Sequence, residues 1–449
     1  MFIWKFLLLS LCFISSFTLA ADDTSEFVLP NGLRIIVKPD SRSPIVVFQV
    51  WYKVGSANEQ EGDRGISHLL EHLMYRGIKN PSLADVYQKM GTIGAKGNAY
   101  TTRDYTYYYH ILEKSHLPLA FALEAERMKH LFIDVKGFNI EKNVIREEWS
   151  DSISRDPYLP ASNALYQNAF EHEAYQFPVI GQMEDFDALT LAQATKWHKD
   201  HYTPDNAILV IVGDVKPSEV FALAQEYFAD IEKKAKLSNV SYPEDKNKPL
   251  LDKKSSTRFI MSEHTKVAMI LLAFKVPSIK TSEPAWEAYA LDVLAGWFDS
   301  GLHSRLTKAL VRDRQVAHEV FVNYSPMNRQ QSLFIIEATP AHDVSVKQLE
   351  KAIITEIKQI RNEVISPETL QKVKNQMIAT GIFERDSMDT QAKIIGQAEA
   401  VDIHWSEDAK YISRIKAVTA EQIKTVLQHY INLDKQFIVI QNAHETEKK

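Results

Sequence analysis

Cysteine is nearly absent from this chain. Among 449 residues there is one, Cys12, so no disulfide can form within the chain. Excess positive charge is missing too. The formal net charge is −6, which gives no global basic signature for nucleic acid. Beyond the first twenty residues no apolar run is long enough to span a bilayer. Charged residues make up 24% of the chain, near the globular average, which argues against a disordered or fibrous protein. What remains is a 45% hydrophobic chain, long enough for two domains or more.

The start stands apart. Met1 to Lys5 is short and basic, Phe6 to Phe17 is almost wholly apolar, and Thr18 and Ala20 supply small residues before Asp22 and Asp23. Residues 1–20 therefore read as a secretory signal peptide, against the competing reading of a membrane anchor, for which the run is short. A lipoprotein would need a small residue before Cys12, and Leu11 is not one. Removal of this segment takes away Cys12 and Lys5, leaving no thiol and a net charge of −7. The expectation is an exported chain stabilised by its core, with thiol catalysis excluded.

Hydrophobic periodicity then alternates between strand and helix. Phe27 to Val37 reads as two strands about an Asn31-Gly32 turn, and Ile45–Tyr52 as a third strand. A helix is expected from about Ile66, strand character from Asn98 to Leu112, and helices over Leu117–His130 and Ile140–Ser154. The tyrosines at 105, 107, 108 and 109 suit a strand covered on both faces. Leu189–Tyr202 reads as a helix and Ala207–Gly213 as a buried strand. Between Lys233 and Ser256 the composition turns to Lys, Asn, Ser, Asp and Pro, as in a linker. After it, Val267–Phe274 is again an apolar strand. The stretch Leu189–Val215 matches Val418–Ala443 in layout, with a Thr-opened helix, a His-Tyr pair, a turn and an apolar strand. This echo points to internal duplication of a unit of roughly 200 residues. The expected architecture is α+β, with two homologous domains, each a mostly antiparallel sheet packed with helices. The first domain is placed at 22–235, the linker at 236–256 and the second domain at 257–449.

The chemistry concentrates in His68-Leu69-Leu70-Glu71-His72. Residues four apart share a helix face, so His68 and His72 can address one ion with Glu71 beside them. This H-x-x-E-H order is that of the inverted zinc-peptidase motif, and a catalytic zinc wants three protein ligands and an open position. The alternative is a helix whose histidines rim the core. A third ligand can come from "FNIEKNVIREEWSDS". Glu141 and Glu148 are seven apart and share a face, whereas Glu147 is rotated away by about 100°. With Glu148 as ligand, Glu141 would orient a histidine or the water; a solvent-exposed acidic helix is the competing reading.

"LPNGLRIIV", "GSANEQEGDRGISHLLEHLMYRG", "GAKGNAYTTRDYTYYY", "IEKNVIREEW", "PVIGQ" and "WHKDHYTPDNAILVIVGDV" follow one another in the order seen in the M16 peptidases. The sequence resembles that family, which includes pitrilysin, insulin-degrading enzyme and the mitochondrial processing peptidase, over nearly all of the expected mature chain. The resemblance implies His68, His72 and Glu148 as ligands of one zinc ion, Glu71 as catalytic base and Glu141 as its supporting glutamate. It also implies that Asn98 and Ala99 lie on an edge strand that pairs with an extended peptide, although Asn98 by itself reads as a turn residue opening a strand. His110, His116, His130, His172, His201 and His429 lack partners at ligand spacing.

The second half departs from the pattern. Where the family carries an arginine and, seven residues later, a tyrosine, this chain has Val311 and His318, with Arg312 one position off. The resulting expectation is the zinc-bearing catalytic subunit of a two-subunit assembly whose partner supplies the missing pair. The alternative is a self-sufficient monomer or homodimer in which Arg312 and His318 substitute. The expected function is zinc-dependent endopeptidase acting on peptides or unfolded segments in a bacterial periplasm, with leader processing as an alternative. A non-catalytic peptide-binding subunit is the rival from another class, opposed by the complete histidine motif.

Overall fold

The computed structural model describes residues 24–76, 88–130, 132–170, 174–233, 256–261, 267–299, 301 and 304–443. The expected signal peptide and nearly all of the expected linker lie outside these residues. In the first half the order is β1 (Ser25–Val28), β2 (Arg34–Pro39), β3 (Ile45–Tyr52), α1 (Ile66–Arg76), β4 (Lys96–Thr101), β5 (Thr106–Glu113), α2 (Leu117–Lys129), α3 (Val135–Arg155), α4 (Tyr158–Ala169), α5 (Met183–Ala188), α6 (Leu191–His201), β6 (Ala207–Gly213) and α7 (Pro217–Phe228). The second half has β7 (Thr257–Met261), β8 (Met269–Val276), α8 (Trp286–Phe298), β9 (Ala317–Tyr324), β10 (Ser332–Pro340), α9 (Val346–Ile360), α10 (Pro367–Glu384), α11 (Met388–Ala400), α12 (Ser406–Ala417), α13 (Ala420–Tyr430) and β11 (Phe437–Gln441).

The two sheets run β1-β2-β6-β3-β5-β4 and β7-β11-β8-β10-β9. With β1 set aside the two orders are the same, and each sheet has a single parallel pairing, β2 with β6 and β7 with β11. All other pairings are antiparallel. The expected α+β class with mostly antiparallel sheets is what the chain forms.

Side-chain details repeat as well. Thr190 and Gln193 form a capping box at the start of α6, and Thr419 and Gln422 form one at α13. Each box satisfies two backbone donors that a helix start leaves without partners. Lys142 on α3 donates to the carbonyls of Asp187 (2.9 Å) and Leu189 (3.0 Å) ahead of α6. Lys374 on α10 donates to those of Lys416 (2.8 Å) and Val418 ahead of α13. A buried ammonium is tolerated only when its protons are taken up, and both halves solve this in the same way.

Expected elements shift at their edges, as the strand expected over Val267–Phe274 does to Met269–Val276, and two of the shifts have a local cause. The strand read across Asn98–Leu112 is a hairpin, because the Thr102 hydroxyl accepts from the backbone N–H of Asp104 (3.2 Å) and Tyr105 (3.1 Å) and closes a turn without Gly or Pro. The helix expected from Ile140 begins at Val135, where the Asp134 carboxylate caps it by accepting from Gly137 N–H at 2.7 Å. Tyr105, Tyr107 and Tyr108 are buried, in keeping with a strand covered on both faces.

One face of the first sheet packs on α1, α2 and α7, and one face of the second on α8, α9, α10 and α13. The other faces are covered by exchange between the halves. From the second half, α11 lays Met388, Ala392 and Ile395 on Trp51, Tyr107, Ile208 and Val210. From the first half, α4 lays Ala161, Ala164 and Leu165 on Leu271, Ile335 and Val439. Burial of a large apolar side chain is worth about 1.5–3 kcal/mol, whereas a surface ion pair is worth about 0–1 kcal/mol. The exchanged helices, rather than pairs such as Lys53–Asp402 (2.8 Å), therefore join the halves.

Gly396 on α11 sits directly against Trp51 in this joint. A Cβ there would lie 2.1 Å from the Trp51 indole, which also stacks on Tyr107 with ring centroids 4.1 Å apart. Gly396→Ala is expected to destabilise the chain by about 1–3 kcal/mol through overpacking. Urea unfolding monitored by tryptophan fluorescence measures this, and an unchanged midpoint would contradict the packing.

Candidate metal centre

The N-terminus of α1 is fixed before its side chains do anything. The buried Glu59 carboxylate accepts from the N–H groups of Gly65 (2.7 Å) and Ser67 (2.9 Å), two of the donors a helix start leaves free. Burial pushes this carboxyl up to about 8, against the pull of those two donors. Gly65 and Gly181 then meet back to back. Both have positive φ (+89° and +85°), and an added Cβ would lie 2.6 Å from Ile180 O or 2.7 Å from Arg64 O. Any side chain there would lift the loop carrying Pro178–Gln182 away from the helix. Arg64 completes the clamp, over the Phe177 ring at 3.6 Å and hydrogen-bonded to Asp185 at 3.0 Å.

Leu69, Leu70 and Leu73 face the core, which turns His68, Glu71 and His72 to the other side of α1. There α1 packs against α3. His72 Nε2 lies 3.5 Å from Glu148 Oε2, and His68 Nε2 lies 3.9 Å from Glu148 Oε1. One ligand atom from each of the three residues falls within 4.8 Å of the others. Glu147, the neighbouring carboxylate, is exposed as Glu148 is but lies outside this group. His72 Nδ1 meets Glu141 Oε2 at 3.2 Å, so the second ring nitrogen is turned to Glu148. Glu141 is only 4% exposed and also accepts from Arg76 Nε at the end of α1. Burial, with the neighbouring His72, holds the His68 imidazole down to about 3, which keeps it in the neutral form that binds metals. Two imidazoles and a carboxylate, one imidazole oriented by a buried glutamate, fit zinc.

Glu71 lies between the histidines. Its Oε2 accepts from the Thr101 hydroxyl at 2.5 Å. Burial raises its carboxyl above the ordinary carboxylate range, while Thr101 and His72 pull it down. Asn98 and Ala99 lie on β4, the outermost strand of the first sheet. Ala99 is buried on the α1 side, while Asn98 alternates to the other face and is exposed.

In the second half, Thr307–Asp313 forms a π-helix; Val311 packs on the second core and Arg312 points to solvent. His318 is exposed on β9. Of the histidines set aside, His110 is buried with Nε2 at 2.6 Å from Glu124. Thr101, Arg76 and Glu59 were missed by sequence reasoning. Thr101 lies 30 residues from the carboxylate it holds, which no periodicity reveals; Glu59, six and eight residues before the donors it caps, was in reach of a search for helix-start carboxylates.

Residues 34–182 match the sequence model described as Insulinase (Peptidase family M16), and residues 188–377 match that described as Peptidase M16 inactive domain. His68, Glu71, His72, Glu141 and Glu148 all fall in the first match. The zinc protease PqqE of Helicobacter pylori is 28% identical over 360 residues, covering 80% of this chain and 79% of that protein. The crystal structure of a protease from Helicobacter pylori resembles this fold with a TM-score of 0.85 at 24% identity, over 94% of this chain and 100% of that one. The periplasmic protease PqqL from Escherichia coli matches with a TM-score of 0.79 at 19% identity, over 95% of this chain but 48% of its own.

Removing the acceptor of His72 Nδ1 by Glu141→Ala is expected to weaken zinc binding about 10- to 100-fold. Competition with a chromogenic chelator measures this, and an unchanged affinity would contradict the role of Glu141.

Proposed function

The chain belongs to peptidase family M16, and on that premise we propose that it is a zinc-dependent endopeptidase cleaving peptides or unfolded segments. The observation that carries this reading is the convergence of His68, His72 and Glu148 beside Glu71. His68 Nε2, His72 Nε2 and the Glu148 carboxylate are assigned as zinc ligands, with Glu141 holding His72. An ion held by these residues would supply Lewis acidity, polarising the scissile carbonyl and making an attacking water more acidic. Glu71 accepts the proton of that water and passes it to the departing amine nitrogen. Asn98 and Ala99 belong to the strand on which an extended peptide is laid, so that backbone pairing rather than side-chain recognition aligns the scissile bond.

We assign residues 22–235 to the zinc-bearing domain, 236–256 to a linker and 257–449 to the second domain. The chain is further proposed to act as the catalytic subunit of a two-subunit assembly in the periplasm, after loss of residues 1–20. Support comes from Val311 and His318 at the places where an arginine and a tyrosine are expected. PqqL, described as a periplasmic protease, is also about twice the length that this chain matches. Arg312 and His318 are both exposed, which favours as a second reading a homodimer or monomer that uses them instead.

The test joins zinc content and peptide cleavage on the purified mature chain, alone and with any copurifying subunit, beside Glu71→Gln. About one zinc per chain in both proteins is expected, with cleavage reduced at least 10²- to 10⁴-fold in the variant, roughly the range for loss of a general base. Cleavage that survives Glu71→Gln would overturn the assignment of the base. Full activity of the isolated monomer would overturn the two-subunit reading alone.

A further inference from the structure

Strand β4 presents one free edge among the described residues, since β5 is its neighbour in the sheet. The hairpin turn sets which backbone groups face that edge. Thr102 N–H donates to Tyr105 O at 2.8 Å, which makes Thr102 and Tyr105 a hydrogen-bonded pair. In an antiparallel ladder such pairs alternate with pairs whose N–H and C=O turn outward. In the register Thr101↔Thr106, Tyr100↔Tyr107, Ala99↔Tyr108, the outward groups belong to Thr101, Ala99 and Gly97. Side chains alternate as well. Ala99 is in the core with α1, so Thr101 points to α1 too.

Thr101 therefore does two things at once. Its backbone faces the edge where a peptide would add, and its hydroxyl donates to Glu71 Oε2 at 2.5 Å. Thr106 Oγ1 lies 3.4 Å behind the hydroxyl and gives its own proton to Val54 O at 3.0 Å. We propose that Thr101 is a positioning residue that couples the register of the bound peptide to the orientation of the base. With Oε2 held by Thr101, the second carboxylate oxygen of Glu71 is left to take the proton from water. The backbone atoms that align the scissile bond are covalently fixed to the hydroxyl that aligns the base. A shift of the peptide along β4 therefore cannot be compensated by a matching shift of Glu71. This rests on the reading of Glu71 as the base.

A hydroxyl that merely satisfied a buried carboxylate would affect folding or zinc retention; one that aims the base affects turnover. The experiment uses the enzyme as isolated, with any subunit that accompanies it. Thr101→Val keeps the β-branched shape without the hydroxyl, and Thr101→Ser keeps the hydroxyl. The measurements are kcat and KM on a fluorogenic peptide, zinc per chain, and the thermal midpoint. Thr101→Val is expected to lower kcat about 10- to 100-fold, the scale for a misaligned reacting group, with KM within about twofold and zinc content unchanged. Thr101→Ser is expected to restore kcat to within a few-fold of the parent. An unchanged kcat in Thr101→Val overturns the proposal. So does loss of zinc or a lowered thermal midpoint in that variant, or a serine variant as impaired as valine. Failure of the underlying reading is distinguishable, because it would leave Glu71→Gln as active as the parent whatever Thr101 does.

Discussion

The bond between His72 and Glu141 marks the place where two helices must meet. On α1 the donors are four residues apart, and on α3 the carboxylates are seven apart. A common point exists only if the two axes are held at one distance and one rotation. The surrounding structure serves that constraint. The Glu59 cap and the Gly65–Gly181 contact fix where α1 starts, the leucines of α1 fix its rotation on the sheet, and Lys142 fixes α3 against the loop before α6. Of these, the glycine contact tolerates least, because it is backbone against backbone and neither side can move away.

The same scaffold occurs twice, but among the described residues the candidate metal-ligating group occurs once. Lys142 and Lys374 make equivalent bonds and so give a common reference on α3 and α10. The residue before the lysine is Glu141 in one half and Val373 in the other, and the residue six after it is Glu148 or Thr380. Glu141 and Val373 are both buried, so the second half uses for packing the position that the first uses to orient His72. The lysine makes the same bonds at both sites, while the positions beside it carry the candidate site's carboxylates in one half and other residues in the other.

Much of this was legible in the sequence, and the failures share a cause. Strands β3 and β6 and helices α1 and α6 follow local periodicity, and their recognition needed nothing beyond ten or so neighbouring residues. The H-x-x-E-H spacing likewise lies on one helix. The turn at Thr102–Tyr105 was missed because a hydroxyl does there what Gly or Pro usually does. The true start of α3 was missed because Asp134 caps a first turn with little hydrophobic pattern. Exchange of α4 and α11 between the halves, and the Thr101–Glu71 bond, depend on residues far apart in the chain. Amphipathicity says that a helix buries a face, but not against which sheet.

The surroundings of a bound zinc ion would show whether α1 and α3 meet to form a metal site. X-ray absorption at the zinc edge, on the mature chain loaded with one equivalent of zinc, tests that directly. The expected first shell holds two imidazole nitrogens at about 2.0–2.1 Å with oxygen neighbours at about 2.0–2.2 Å, and one imidazole is lost from it in His72→Ala. A shell without imidazole, or one unchanged by that substitution, would mean that zinc binds elsewhere and that the meeting of α1 and α3 serves another purpose.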